Sequence, residues 1–266
     1  MVYVTFLGTG NAFSAGRRTN LALFVSSGEF HMLVETGPMI VEQLNRMGMR
    51  ANDIERVLVT HAHGDHTLGF PMLALNRMGA TSPLHVYAGL NTIASLRILS
   101  ALAFSSLRTD GVDMRWHEIS DQGPDQIELP FKIKLRTILP DYPPGVPTLA
   151  ARWEFPDGPS VTLVTDTRPS RASVELARDS DLLIHEASYS AALQPNETPY
   201  EHYHSTAQQA GQIARKAGCR QLALVHIGPK IGHWPEVLIE EARAGTDLQV
   251  IVPEDGDRLP VVRHRR

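Results

Sequence analysis

The chain has 266 residues, 42% of them hydrophobic, and carries a formal charge of −4 from 25 Lys and Arg against 29 Asp and Glu. That size supports a sizeable core without staples, and a single domain over 1–266 is expected. The acid-leaning balance excludes bulk attraction to nucleic acid or anionic membrane, no run approaches the ~20 apolar residues of a membrane span, and Cys219, the lone cysteine, excludes an internal disulfide. A cytoplasmic location is therefore expected.

In chain order, VYVTFLG (2–8), NLALFVSS (20–27) and HMLVETG (31–37) read as strands, followed by a helix over MIVEQLNRMG (39–48). ERVLVT (55–60) is the next strand. Helices are predicted over 68–79 and 92–104, with the strand LHVYAG (84–89) between them. FKIKLRTIL (131–139) and LAARWEF (149–155) are strands with no helix between them, which predicts mixed sheets. The intervening LPDYPPGVP holds four prolines and reads as a shaped loop. The remainder alternates: strands at 160–166, 181–187, 221–228 and 248–254, helices at 171–180, 205–218 and 236–245.

After ERVLVT the chain concentrates His61, His63, Asp65 and His66 within six positions. A rigid strand end fixes such a loop while its backbone turns donors inward, and Gly64 permits the tight turn that brings Asp65 and His66 round. Neutral imidazole and carboxylate suit zinc, iron or manganese, and no cysteine is nearby for a structural thiolate site.

HAHGDH resembles the HxHxDH signature of the metallo-β-lactamase superfamily. FLGTGNAF, GRRTN, THAHGDHTLGFP, VTDTR, LLIHEASY, HSTAQQA and LVHIGP resemble successive blocks of its ribonuclease Z-like branch, nearly spanning the chain. The resemblance implies an α/β fold, a four-layer αβ/βα sandwich with a two-metal site along one edge. It places His61 and His63 on a first divalent ion, Asp65 and His66 on a second, Asp166 between them and His226 as the last ligand of the second. Zinc is the expected ion, with manganese or iron as alternatives. Taken without the resemblance, Asp166 also suits a turn or N-cap and His226 a buried core position.

Two positions depart from the family pattern. Pro144 stands where the branch usually supplies another first-metal histidine, and proline cannot bind a metal; Asp141 or a histidine from elsewhere is a candidate substitute. Glu35 replaces the usual aspartate and is expected to brace the metal loop.

A bound cation lowers the pKa of water from about 16 toward ~7, so a metal-bound hydroxide is the expected nucleophile. The resemblance makes His204 the general acid, with His202 in reserve, Glu186 its carboxylate partner and Asp65 a second proton acceptor. Ser205 or Thr206 is the expected cap of the next helix. His185 is expected on the buried opposite face of its strand, and His31, His85, His117, His233 and His264 are read as ordinary histidines.

Phosphodiester hydrolysis fits such a site, on a small phosphodiester or nucleotide. Arg17, Arg18 and Arg168 are candidates to clamp one phosphate. Transfer-RNA processing enzymes of this branch often carry a long Gly- and Pro-containing arm before the bridging aspartate, and only LAARWEFPDGPSVTL occupies that interval here. Structured RNA is thus a less expected partner. A carboxylic ester, lactone or sulfate ester hydrolase, a ribonuclease Z-type RNA endonuclease and a catalytically weakened metal-binding sensor are the alternatives, and relatives suggest a homodimer.

Overall fold

The computed structural model describes residues 1–13, 17–104, 111–156 and 158–263. His264 lies outside the described residues. In chain order the elements are β1 (Val2–Gly8), β2 (Ala22–Ser27), β3 (Phe30–Val34), α1 (Ile40–Arg46), β4 (Arg56–Leu58), α2 (Gly64–Thr67), α3 (Phe70–Leu75), β5 (Leu84–Gly89), α4 (Leu90–Ala103) and β6 (Met114–Ile119). They continue with β7 (Asp125–Leu129), β8 (Ile133–Ile138), β9 (Ala150–Glu154), β10 (Ser160–Val164), α5 (Arg171–Ala177), β11 (Leu182–Glu186), α6 (Ala207–Ala217), β12 (Gln221–Val225), α7 (Pro235–Arg243), β13 (Gln249–Ile251) and β14 (Arg258–Val261).

Among the described residues, these strands form two mixed sheets, ordered β14-β1-β2-β3-β4-β5-β6 and β13-β12-β11-β10-β9-β8-β7. Period-two alternation decides which face each side chain takes. Val4, Phe6, Val25, Met32 and Leu58 of the first sheet meet Leu135, Trp153, Leu163 and Ile184 of the second in one buried layer. The outer face of the first sheet, through Leu33, Val57 and Val86, is covered by Ile40 and Leu44 of α1, Phe70 and Leu73 of α3 and Leu96 of α4. The outer face of the second, through Val164, Leu183 and Leu222, is covered by Leu176 of α5, Ile213 of α6 and Leu238 of α7. Each fully buried aliphatic or Phe side chain in these layers contributes roughly 1.5–3 kcal/mol, so the αβ/βα arrangement follows from giving every apolar face a partner.

Within each sheet the chemistry-bearing strands run parallel: β3, β4 and β5 in the first, β10, β11 and β12 in the second. Their carboxyl ends lie on one edge, where open α/β sheets gather ligands. The predicted helix over 205–218 forms as expected. Thr206 accepts from the Gln209 N–H while its own N–H donates to Gln209 Oε1, and Gly218 ends the helix in the left-handed region at φ 73°. Three strands have no counterpart among the expectations: β6 and β7, whose sequences MRWHEI and DQIEL carry charge at or near alternate positions, and β14, which returns the C-terminal segment to β1.

Candidate metal centre

Every predicted metal donor follows a strand end. His61 to His66 follow β4, Asp166 follows β10, and His226 follows β12. The structure brings them together as two donor groups, His61 with His63 and Asp166, and Asp65 with His66 and His226, whose ligand atoms within each group lie within 4.8 Å of one another. His66 Nε2 stands 3.2 Å from Asp65 Oδ2 and 3.4 Å from Asp166 Oδ2. His226 Nε2 stands 3.4 Å from Asp65 Oδ2 and 3.3 Å from Asp166 Oδ1. His61 Nε2 is 3.0 Å from His63 Nδ1 and 4.0 Å from Asp166 Oδ1.

The outward ring nitrogens are held from behind. His61 Nδ1 meets Thr60 Oγ1 at 2.9 Å, His226 Nδ1 meets Ser188 Oγ at 2.9 Å, and His66 Nδ1 faces Glu35 Oε2 at 3.3 Å. Hydrogen bonds at Nδ1 leave Nε2 of His61 and His226 turned inward, the orientation an imidazole needs to ligate an ion, and the approach of Glu35 orients the His66 ring the same way without a hydrogen bond. Glu35 also accepts the Thr60 N–H at 3.2 Å, so it braces the metal loop at two points, as its position implies. Both ring nitrogens of fully buried His66 and Glu35 Oε1 lack a hydrogen bond. A buried polar atom without a partner is destabilising, and a divalent ion supplies one for His66 Nε2; the donor set fits such an ion.

The backbone is strained at this edge. Glu35, Asp166 and His226 adopt φ values of 69°, 49° and 55°, a region that costs a residue with a side chain roughly 1–2 kcal/mol. The electrostatics are equally concentrated. Burial pushes the His66 imidazolium toward losing its proton, but the surrounding Glu35, Asp166 and Asp65 carboxylates outweigh it and hold its pKa well above the ordinary value. His61 is driven well below by burial and then by its histidine neighbours. Asp65 and Asp166 are raised by burial, yet adjacent imidazoles carry both below the usual carboxylate range.

Beside the donors, His204 Nδ1 lies 3.0 and 3.2 Å from the two oxygens of Glu186, the last residue of β11. Burial lowers its pKa, but Glu186 overrides this and lifts it to about 9. Glu186 is fully buried, and its oxygens also accept from the Thr167 N–H at 2.7 Å and the Ser188 hydroxyl at 2.7 Å. Ser188 is a residue that sequence reasoning missed. It joins Glu186, His226 and His204, yet a lone serine in LLIHEASY has no spacing that marks it.

Several expectations are corrected. Arg18 is buried and spent on Thr9 Oγ1 at 2.6 Å and the Pro253 carbonyl, so it pins the C-terminal segment rather than a phosphate. Arg168 is sandwiched 3.8 Å from the Tyr200 ring centre and 3.7 Å from that of Tyr203, and faces Asp141 at 3.8 Å. Asp141 belongs to none of the donor groups among the described residues. Arg17 is exposed, and among the described residues it is the one candidate clamp of the three without such an engagement. Pro144 sits exposed in a turn, and the group of His61, His63 and Asp166 gains no fourth donor among the described residues. His85 and His117 pair with each other at 2.8 Å, whereas His185 is buried in β11 as expected.

A family model described as a Beta-lactamase superfamily domain matches residues 31–227, which include every donor named above. The chain belongs to the metallo-β-lactamase superfamily. Within it, the chain is 29% identical to a ribonuclease Z from Halorubrum lacusprofundi, over 97% of this chain and 96% of the relative. Its fold is similar to that of the metallo-β-lactamase fold protein YhfI from Bacillus subtilis, with a TM-score of 0.81 at 20% identity over 97% and 98% of the two chains. It is also similar to the short form of human tRNase Z, with a TM-score of 0.79 at 21% identity over 97% and 99%. This superfamily member is a ribonuclease Z-like, metal-dependent hydrolase. Among the described residues no helix is long and apolar enough to cross a membrane.

Proposed function

We propose that the protein is a phosphodiesterase acting on a small phosphodiester or nucleotide, with His61, His63, Asp65, His66, Asp166 and His226 holding one or two zinc ions, or manganese or iron in their place. The observation that carries this reading is His204, its Nδ1 3.0 Å from buried Glu186, beside a cluster of six metal donors. Bound divalent ions there supply an acidified water and neutralise phosphoryl charge. His204 shares Nδ1 with Glu186 and keeps Nε2 for the leaving oxygen, which needs a proton as the ester bond breaks. Ser188 holds Glu186 and His226 in register, and Asp65 accepts a proton from the attacking water. The chain acts as one hydrolase domain over 1–266, cytoplasmic by its cysteine usage and assembled as a homodimer.

A ribonuclease Z-type endonuclease is the second reading, favoured by the name of the Halorubrum relative. Against a large RNA stands the connection from β9 to β10, where only residues 155–159 separate paired strands at the place of the branch's RNA-binding arm. The net charge of −4 leans the same way.

The deciding experiment combines metal analysis with turnover of bis(p-nitrophenyl) phosphate and of a precursor transfer RNA. Expected are about one to two ions per chain and release of p-nitrophenolate that His66→Ala or Asp166→Ala abolishes. Turnover of carboxylic esters alone, or bound metal with no turnover at all, overturns the proposal in favour of an esterase or a metal-binding sensor.

A further inference from the structure

Adjoining the metal centre at Ser188 is a cavity of about 300 Å³, lined in part by Asn11, Phe13, Ser188, Tyr189, Gln194 and Gly228. It shares a wall with the reaction site. Ser188 lines it while its hydroxyl touches His226 and Glu186, and the Tyr189 ring lies 6.1 Å from that of His204. Gly228 follows His226 by two residues, and a Cβ there would stand 2.5 Å from the Ser188 carbonyl, so the backbones of two walls meet at their closest where glycine permits it.

The lining has a consistent chemistry. Phe13 is 76% exposed although large and apolar, and with Tyr189 it offers aromatic surface to the cavity. Asn11 Oδ1 accepts the Phe13 N–H at 3.1 Å, which fixes the amide and leaves Nδ2 as a donor beside Gly228. Gln194 Oε1 accepts the Ser190 N–H at 3.3 Å, which likewise leaves its NH₂ group. Neither amide nitrogen donates to a protein group among the described residues. Glu197 and Lys230, which also line the cavity, neutralise each other across 3.0 Å and leave it no net charge to attract an ionic group. An aromatic hydrocarbon would leave both amides unpaired, and a phosphate would find the one cationic lining residue, Lys230, already paired with Glu197. A neutral flat ring bearing acceptor atoms satisfies all three features.

We propose that this cavity is a nucleobase subsite, so that the phosphodiester cleaved next to it carries a base held against Phe13 and Tyr189 with Asn11 and Gln194 donating to its edge. The inference rests on the phosphodiesterase reading. The base can belong to a small nucleotide diester or to a polynucleotide end.

The test uses metal-loaded protein and two chromogenic diesters, the p-nitrophenyl ester of thymidine 5′-monophosphate and methyl p-nitrophenyl phosphate. Expected is a kcat/KM for the nucleoside ester at least about tenfold above that for the methyl ester, with Phe13→Ala or Gln194→Leu removing roughly that factor and leaving the methyl ester within about twofold. Equal rates on the two esters, or equal losses on both in each variant, overturn the subsite. Should neither ester turn over, the phosphodiesterase reading fails separately, and thymidine 5′-monophosphate binding by calorimetry still judges the cavity: binding weakened by both variants sustains it, and no binding overturns it. A short single-stranded RNA ending in the same base separates the two sources. Whichever substrate turns over faster owns the base, and Phe13→Ala is expected to slow that substrate most.

Discussion

Glu186 keeps its charge in full burial because partners meet both oxygens: Thr167 N–H, Ser188 Oγ–H and the His204 imidazole. Burial raises its pKa, but the adjacent His204 charge outweighs this and holds it below the ordinary carboxylate value. The reciprocal effect lifts His204 to about 9, so the ring is cationic at neutral pH. A proton donor must be charged to act, so the acid-catalysed step is expected to fail as pH rises through that value. Asp166 and Asp65 add to the lift, and ligation of an ion by them places the alkaline limb at or below about 9. Glu186→Gln removes the larger contribution and leaves burial, which moves the limb of the kcat profile down by at least about one pH unit. His204→Ala is expected to lower kcat by roughly 10²–10⁴ while metal content stays unchanged. Loss of metal in that variant would reassign His204 as a ligand of the Asp166–His204–His226 group.

At the scale of elements, the site depends on how closely two loops approach. Gly37, just beyond β3, leaves no room for a side chain: a Cβ would stand 2.2 Å from the Asp65 carbonyl oxygen. Gly37→Ala must therefore displace the turn that carries Asp65 and His66. It is expected to destabilise by about 1–3 kcal/mol and to weaken metal uptake together, checked by denaturant unfolding and metal analysis. Stability loss with metal affinity intact would show that the loop yields elsewhere. The sequence makes the donors legible because ligation demands rare residue types at strand ends: HAHGDH after ERVLVT, Asp166 after SVTLVT and His226 after QLALV. Their supports are less legible. Ser188 acts through a single hydroxyl whose partner His226 lies 38 positions away, and no local pattern encodes that distance. Arg18 and Arg168 mislead for the same reason, since a basic residue spent on a distant carbonyl or two tyrosines looks like a free one.

At the scale of the molecule, strand alternation foretells two mixed sheets but not their order, which depends on pairings such as β1 with β14 across most of the chain. That order has an energetic consequence for the metal centre. His61, His63, Asp65 and His66 hang from the first sheet, Asp166 and His226 from the second, so an ion held by both sets ties the two halves of the sandwich together. An ion that binds only the folded chain stabilises it by RT ln(1 + [L]/Kd), about 2.7 kcal/mol when present at about 100 Kd. Chelation is expected to lower Tm by roughly 5–10 °C, and zinc or manganese to restore it. Asp166→Ala, which removes the carboxylate shared between the donor groups, should abolish most of that shift. The gain must also depend on pH in a definite sense. Neighbouring carboxylates raise the pKa of His66 in the metal-free protein, so ligation competes with a proton for that ring. Metal affinity, and with it the thermal gain, therefore shrinks as pH falls; a gain that grows toward acid, or that survives undiminished in Asp166→Ala, would place the stabilising ion somewhere other than between the sheets.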